Sequence, residues 1–227
     1  MKKILFSDID GTLVNGNQPI SSKDQKAIKK LREKGHYFSF CTGRNIQETK
    51  IITPYFEYDY LVLNNGAMIV DQQDQVLYRK QIKNEIAKEI LNESMRKYPY
   101  LNYTFFDGKQ TYGFINEKTC KLTKEVYQEI EGDFLDILNN TTEDIDIVCA
   151  FHPEEKLDEI KEIQQQINQK YTGIHATLNV VYLDITVDCT KGTGLQKLCS
   201  LFKEDVTSYC IGDSFNDLDM FEKANHA

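Results

Sequence analysis

Ile4-Leu5-Phe6-Ser7-Asp8-Ile9-Asp10-Gly11-Thr12-Leu13 joins a short apolar run to two carboxylates and then to a turn signal at Gly11. An apolar run bounded by a glycine predicts a strand buried on both faces, as in a parallel sheet. Residues two apart on a strand share a face, so Asp8 and Asp10 point the same way. Like charges side by side at the end of a buried strand repel, and a cation or a special protonation state is expected with them. A purely polar turn is the structural alternative. A calcium loop is excluded, because Leu13 stands where its sixth position needs glycine and Pro19 where its twelfth needs glutamate.

Outward from this stretch the pattern of strand, polar turn and helix repeats. Ser22-x-x-Gln25 predicts a capping box for a helix with Ala27, Ile28 and Leu31 on its apolar face and Gly35 at its C-cap. Tyr37 to Cys41 reads as a second strand, ending in Thr42-Gly43-Arg44 and a short helix capped by Asn45 and stopped before Pro54. Tyr60 to Leu63 reads as a third, ending in Asn64-Asn65-Gly66. Alternating strands and helices imply right-handed crossovers and a parallel sheet, which binds ligands at the carboxyl ends of its strands. Ala67 to Val70 and Gln75 to Tyr78 then read as a β-hairpin around a polar tip.

From about residue 82 to 186 the periodicity changes to that of a second, α+β domain inserted into the first. Apolar stripes at Ile86, Ala87, Ile90, Leu91 and Met95, at Leu122, Val126 and Ile130, and at Leu157, Ile160, Ile163 and Ile167 predict helices. Leu101 to Phe106, Thr111 to Ile115, Ile145 to Phe151 and His175 to Thr186 read as strands. The first domain is thus expected over 1–81 and 187–227. It resumes in a helix capped by Thr193-x-x-Gln196, then a strand from Thr207 to Ile211, then Gly212-Asp213-Ser214-Phe215-Asn216-Asp217.

The 227 residues suffice for one large or two modest domains, and the net charge of −8 comes without a long basic block. Nucleic acid and anionic membrane are therefore not expected partners. The apolar part of the N-terminus is too short for a signal peptide, no run approaches a membrane span, and the six cysteines form no Cys-x-x-Cys pair. A cytoplasmic protein is expected.

Thr42, Lys191 and Asp213 each have an ordinary reading as a helix-start hydroxyl, a solvated cation and an acid at a helix N-terminus. Lys191 fits its reading worst, since it faces the positive end of a helix dipole unless an anion lies between. Ser214-x-x-Asp217 also satisfies a capping box. Together, a carboxylate pair, a hydroxyl, a lysine and a second acidic cluster suit phosphoryl transfer. A carboxylate approaching a phosphate dianion meets about 4 kcal/mol of repulsion per charge pair at intermediate dielectric, which a cation offsets. Acidic oxygens from two places suit Mg²⁺. The chain has no Gly-x4-Gly-Lys-Ser/Thr loop, and Gly192-x-Gly194 lacks the third glycine of a dinucleotide fingerprint.

Four segments, Asp8-Ile9-Asp10-Gly11-Thr12, Thr42-Gly43-Arg44, Lys191-Gly192 and Gly212-Asp213-Ser214-Phe215-Asn216-Asp217, in this order, resemble the motifs of the haloacid dehalogenase-like phosphohydrolases, Cof-type branch. The resemblance implies a Rossmann-like parallel-sheet α/β core (1–81 and 187–227) with an inserted α+β cap (82–186) that closes to exclude water. It implies a Mg²⁺-dependent phosphatase of small phosphorylated metabolites. Asp8 would be the nucleophile, Asp10 the general acid and base, and Thr42 and Lys191 the holders of the phosphoryl oxygens. Asp8, the Asp10 carbonyl and Asp213 would bind Mg²⁺, with Asp217 in support. Asn216 would lie near the phosphoryl group, and Gly43, Arg44 and Asn65 would contact substrate.

A phosphomutase with the same nucleophile and a non-catalytic phosphometabolite-binding protein are the rival readings. A haloacid dehalogenase is disfavoured, since those relatives lack the second aspartate. Specificity is expected on the cap, among Lys118, Lys121, His152, Lys156, His175 and Tyr182, and the state expected is a monomer or weak dimer. Relatives continue past the last motif with a further core strand. A truncated chain is therefore expected, with Thr207 to Ile211 as an edge strand prone to aggregate.

Overall fold

In a computed structural model, which describes residues 2–15, 19–53, 56–114, 134–179 and 182–227, the opening apolar run forms strand β1 (Lys2–Ser7), with Ile4 and Phe6 fully buried. There follow α1 (Ser22–Glu33), β2 (Tyr37–Cys41), α2 (Ile46–Ile52), β3 (Tyr60–Leu63), β4 (Met68–Asp71) and β5 (Val76–Arg79). The next elements are α3 (Asn84–Lys97), β6 (Asn102–Phe106), β7 (Thr111–Phe114), α4 (Phe134–Asn140), β8 (Ile147–Phe151), α5 (Leu157–Lys170), β9 (Ile174–Asn179) and β10 (Tyr182–Val187). Last come α6 (Lys191–Leu201), β11 (Val206–Ile211) and α7 (Leu218–Lys223). The chain divides into two units, Met1–Arg79 with Cys189–Ala227, and Lys80–Asp188.

The first unit is built on a six-stranded sheet in the order β11-β1-β2-β3-β4-β5. The first four strands are parallel, while β4 and β5 run antiparallel, so the sheet is mixed rather than wholly parallel. The reversal has a local cause. Asn64, Asn65 and Gly66 take left-handed φ values of +51°, +50° and +95°, which turn the chain back beside β3 without a crossover helix. Alternation along the strands separates two cores: Phe38, Phe40, Leu61, Leu63 and Val70 on one face, and Ile4, Phe6, Cys41, Val62 and Ile69 on the other. Asp8, Thr42 and Asn64 each immediately follow one of the parallel strands, and all are buried.

The starts of α1 and α6 differ from the sequence expectation. The cap of α1 is Ser21, whose hydroxyl accepts the Asp24 N–H at 3.1 Å, so Ser22-x-x-Gln25 forms no box and Gln25 donates to the Ile20 carbonyl instead. Helix α6 likewise starts early, with Thr190 as cap in a reciprocal box with Thr193. Gly192 and Gly194 lie inside α6, where other backbone presses on them. A Cβ at Gly192 would overlap the Asp219 carbonyl, and one at Gly194 would overlap the Cα of Gly66. The cap of α2 is Asn45, in a box with Glu48.

The second unit is an antiparallel sheet in the order β7-β6-β8-β10-β9, with a core formed by Ile90 and Leu91 of α3, Ile160 and Ile163 of α5, and Tyr103, Phe105, Val148 and Leu183 of the strands. Helix α4 has no counterpart in the sequence expectation. Leu122, Val126, Ile130, Lys118 and Lys121 lie outside the described residues. Among the described residues no helix is long and apolar enough to cross a membrane.

Helix α3 has Lys83 at its cap position, and that side chain caps nothing. Its first turn is served from a distance by Asp144, which accepts the Asn84 N–H at 3.1 Å and the Lys83 ammonium at 2.7 Å. The Lys83 hydrogen bond, more than burial, which opposes it, holds the Asp144 carboxyl below its ordinary value. A folded value below the unfolded one makes the stabilisation present above the ordinary carboxylate range, and lost as pH falls through it. Asp144→Ala is expected to cost about 1 kcal/mol at pH 7, as for loss of a helix cap, and the difference from the parent should shrink toward pH 3. Urea unfolding at both pH values reads this out. A pH-independent difference would mean that the carboxylate charge is not what caps α3.

Candidate active site

The end of β1, the start of α6 and the turn after β11 meet around Asp8. The backbone ties the first and last of these together, since the Asp8 N–H donates to the Ile211 carbonyl at 3.0 Å. Gly11, at φ +86°, closes the turn after β1, and a Cβ there would overlap the Asp213 carboxylate. Both its conformation and its missing side chain are therefore required.

Lys191 lies 1 % exposed at the first turn of α6, and its ammonium donates to Asp8 Oδ1 at 2.6 Å and to Asp217 Oδ1 at 2.7 Å. These carboxylates are the anions that let a lysine occupy the positive end of a helix dipole. Burial alone would lower the Lys191 ammonium, but Asp8 and Asp217 hold it above the usual lysine value. For Asp8 burial wins: its carboxyl is pushed up to about 6, with the Lys191 charge and hydrogen bond pulling the other way.

Asp217, fully buried, uses its second oxygen to accept the N–H groups of Asp213 (3.1 Å) and Ser214 (3.0 Å). The Ser214-x-x-Asp217 box therefore exists and, through Lys191, is joined to Asp8. Asp213 is exposed and accepts the Thr12 hydroxyl at 3.1 Å. Thr12 is a participant the sequence reading passed over, although it stood in the decisive stretch. Carboxylate oxygens of Asp8, Asp213 and Asp217 lie within 4.8 Å of one another. An all-oxygen set fits a hard divalent cation such as Mg²⁺. Asp217 is the least free to ligate, since its oxygens already serve Lys191 and two backbone donors.

Asp10 is not part of that carboxylate group. It is exposed, and both its oxygens are taken by Arg44, from Nε and from a terminal nitrogen, each at 2.7 Å. Thr42 is buried at the end of β2, its hydroxyl accepting the Arg44 N–H at 3.2 Å and its carbonyl accepting the Asn65 N–H at 3.1 Å. Gly43 lies between them in the same turn. Asn216 is buried, with its amide oxygen held by Ser214 and its amide nitrogen without a partner among the described residues. A buried donor without an acceptor costs free energy, which an anionic ligand would recover.

A family model described as haloacid dehalogenase-like hydrolase matches residues 5–227. The chain is 25% identical to the 5-amino-6-(5-phospho-D-ribitylamino)uracil phosphatase YwtE of Bacillus subtilis, over 99% of this chain and 86% of that one. It is 24% identical to the HMP-PP phosphatase of Citrobacter koseri, over 98% and 81%. A solved haloacid dehalogenase-like hydrolase from B. subtilis has the same fold, with a TM-score of 0.78 at 19% identity over 98% of this chain and 87% of that one.

Proposed function

The chain belongs to the haloacid dehalogenase-like hydrolases, Cof-type branch, and from that membership we propose that it hydrolyses small phosphomonoesters through an aspartyl-phosphate on Asp8. It is a phosphoric monoester hydrolase, in keeping with relatives that are named phosphatases. The observation that carries the covalent reading is the buried Asp8 carboxylate gripped by Lys191 at the carboxyl end of β1.

An Asp8 oxygen attacks phosphorus, the bond from phosphorus to the ester oxygen breaks, and Asp10 gives the departing oxygen its proton. Water then attacks the aspartyl-phosphate, Asp10 takes a proton from it, and inorganic phosphate leaves Asp8 restored. Lys191 offsets negative charge as the phosphoryl group arrives, and the Thr42 hydroxyl and the Asn216 amide nitrogen supply donors to its oxygens. Asp8, Asp213 and the Asp10 carbonyl would hold Mg²⁺, with Asp217 positioning the loop that carries Asp213. The ion would supply charge to neutralise the phosphoryl oxygens. Free cysteines, including buried Cys41 and Cys210, support a reducing compartment, the cytoplasm.

The test is a panel of phosphorylated sugars, nucleotides and cofactors assayed with Mg²⁺ and then with EDTA. Turnover of at least one small phosphomonoester is expected, and loss of nearly all of it on chelation, restored by added Mg²⁺. Undiminished rates in EDTA would remove the metal from the reading.

A further inference from the structure

Arg44 follows Thr42-Gly43, and the family resemblance makes it a candidate substrate contact. In the structure its guanidinium donates two parallel hydrogen bonds of 2.7 Å to the two carboxylate oxygens of Asp10. We propose that Arg44 is a positioning residue for the reaction: it fixes the Asp10 carboxylate for proton transfer. The proposal rests on the reading of Asp10 as general acid and base.

The surroundings of the pair argue that it is placed rather than incidental. Arg44 is anchored on both sides of its Cα, its N–H donating to the Thr42 hydroxyl at 3.2 Å and its carbonyl accepting the Asn64 N–H at 3.1 Å. The next residue, Asn45, is locked in the capping box of α2. On the other side, Asp10 sits in a turn closed by Gly11 N–H to the Val14 carbonyl at 2.8 Å and by Leu13 and Val14 N–H to the Ile9 carbonyl. Two short, stiff turns thus present a planar fork to a planar carboxylate.

The pair has little to do for stability. The Arg44 and Asp10 side chains are 32% and 47% exposed, and ion pairs this open to water contribute little to folding. What a two-point grip does supply is orientation. A carboxylate held at both oxygens cannot swing about its side-chain bonds, and proton transfer demands that its reacting oxygen stay within hydrogen-bond reach of the ester oxygen or the water. The conformational freedom an exposed aspartate would otherwise have is removed before substrate arrives.

The leaving group separates this role from that of a substrate contact and from that of a merely structural ion pair. The value of kcat/KM reports the steps up to departure of the leaving group. An alkyl or sugar phosphate needs a proton there and p-nitrophenyl phosphate hardly does. Arg44→Ala is expected to lower kcat/KM about ten- to a hundredfold for the alkyl phosphate, part of the usual general-acid contribution, and less than about threefold for p-nitrophenyl phosphate. Inhibition by inorganic phosphate should be nearly unchanged. Arg44→Lys, which keeps the charge but gives up the fork, should fall between parent and Arg44→Ala.

In an Asp10→Ala background, Arg44→Ala should add almost nothing, because residues acting as one unit are non-additive. Equal losses on both esters with weakened phosphate inhibition would make Arg44 a substrate contact and overturn the proposal. A full additional loss in the Asp10→Ala background would overturn it as well. Should Arg44→Ala fail to fold, Arg44→Lys carries the same comparisons. If Asp10→Ala alone leaves the alkyl phosphate rate unchanged, the reading of Asp10 is what fails, a result separate from either outcome for Arg44.

Discussion

Asp8→Asn is expected to reduce turnover to background, a fall on the order of 10⁶-fold, as when the nucleophile of a covalent mechanism is removed. An amide oxygen cannot form and release an acyl-phosphate. The substitution is nearly isosteric, and its Oδ1 still accepts from Lys191, so the cause of the loss would be chemical rather than structural. Stability offers the control. Burial raises the Asp8 carboxyl to about 6. A folded value above the unfolded one is a contribution present below the ordinary carboxylate value and lost as pH rises through about 6. Without metal at pH 8, the Asp8→Asn chain should therefore be at least as stable as the parent while inactive. Acid quench of the parent during turnover should trap phosphate on the chain, and the variant should trap none. If Asp8→Asn keeps most of the parent's activity, the covalent route is wrong.

Lys191→Met should be the most destabilising of the substitutions considered. Lys191, Asp8 and Asp217 have side chains exposed by 1%, 5% and 0%, and the ammonium is the charge that lets two carboxylates lie this close out of water. Removing the cation that both carboxylates share leaves each of them buried and uncompensated, typically at about 3–5 kcal/mol. Methionine fills most of the volume, so the deficit reads charge rather than cavity. The urea midpoint should fall accordingly in EDTA and recover in part with Mg²⁺, while activity stays lost. A midpoint equal to the parent's would mean that the two carboxylates do not depend on Lys191.

The strands were legible because apolar runs and alternation are local. The runs at Tyr37–Cys41 and Tyr60–Leu63 became β2 and β3 residue for residue. Helix starts were less so. Ser21 and Ser22 both satisfy a capping pattern, with Asp24 and Gln25 three residues on, and only the folded backbone chooses between them. The need for glycine at positions 192 and 194 is not legible locally, because the backbone that demands it, at Asp219 and Gly66, comes from elsewhere in the chain. The same limit applied at the site. The motifs named Asp8, Asp10, Thr42, Arg44, Lys191, Asp213 and Asp217 without saying who pairs with whom. That Lys191 bridges Asp8 and Asp217, and that Arg44 takes Asp10, are facts of space with no period in sequence.

Strand β1 lies between β2, its early neighbour in sequence, and β11, with Lys2 opposite Val206. On a ribosome adding about 5–20 residues per second, the first strand waits roughly 10–40 s for that second neighbour to be made. During the wait one edge of β1 is an open template for other chains, and Asp8 has neither its lysine nor Asp217 beside it. The contiguous stretch from Lys80 to Asp188 emerges whole in the interval and can fold while the ends of the other unit are still apart. Translation therefore brings Lys191 and Asp217 to the proposed catalytic centre only after the Lys80–Asp188 stretch has been made, and a pause between the two would lengthen the exposure of β1 and Asp8.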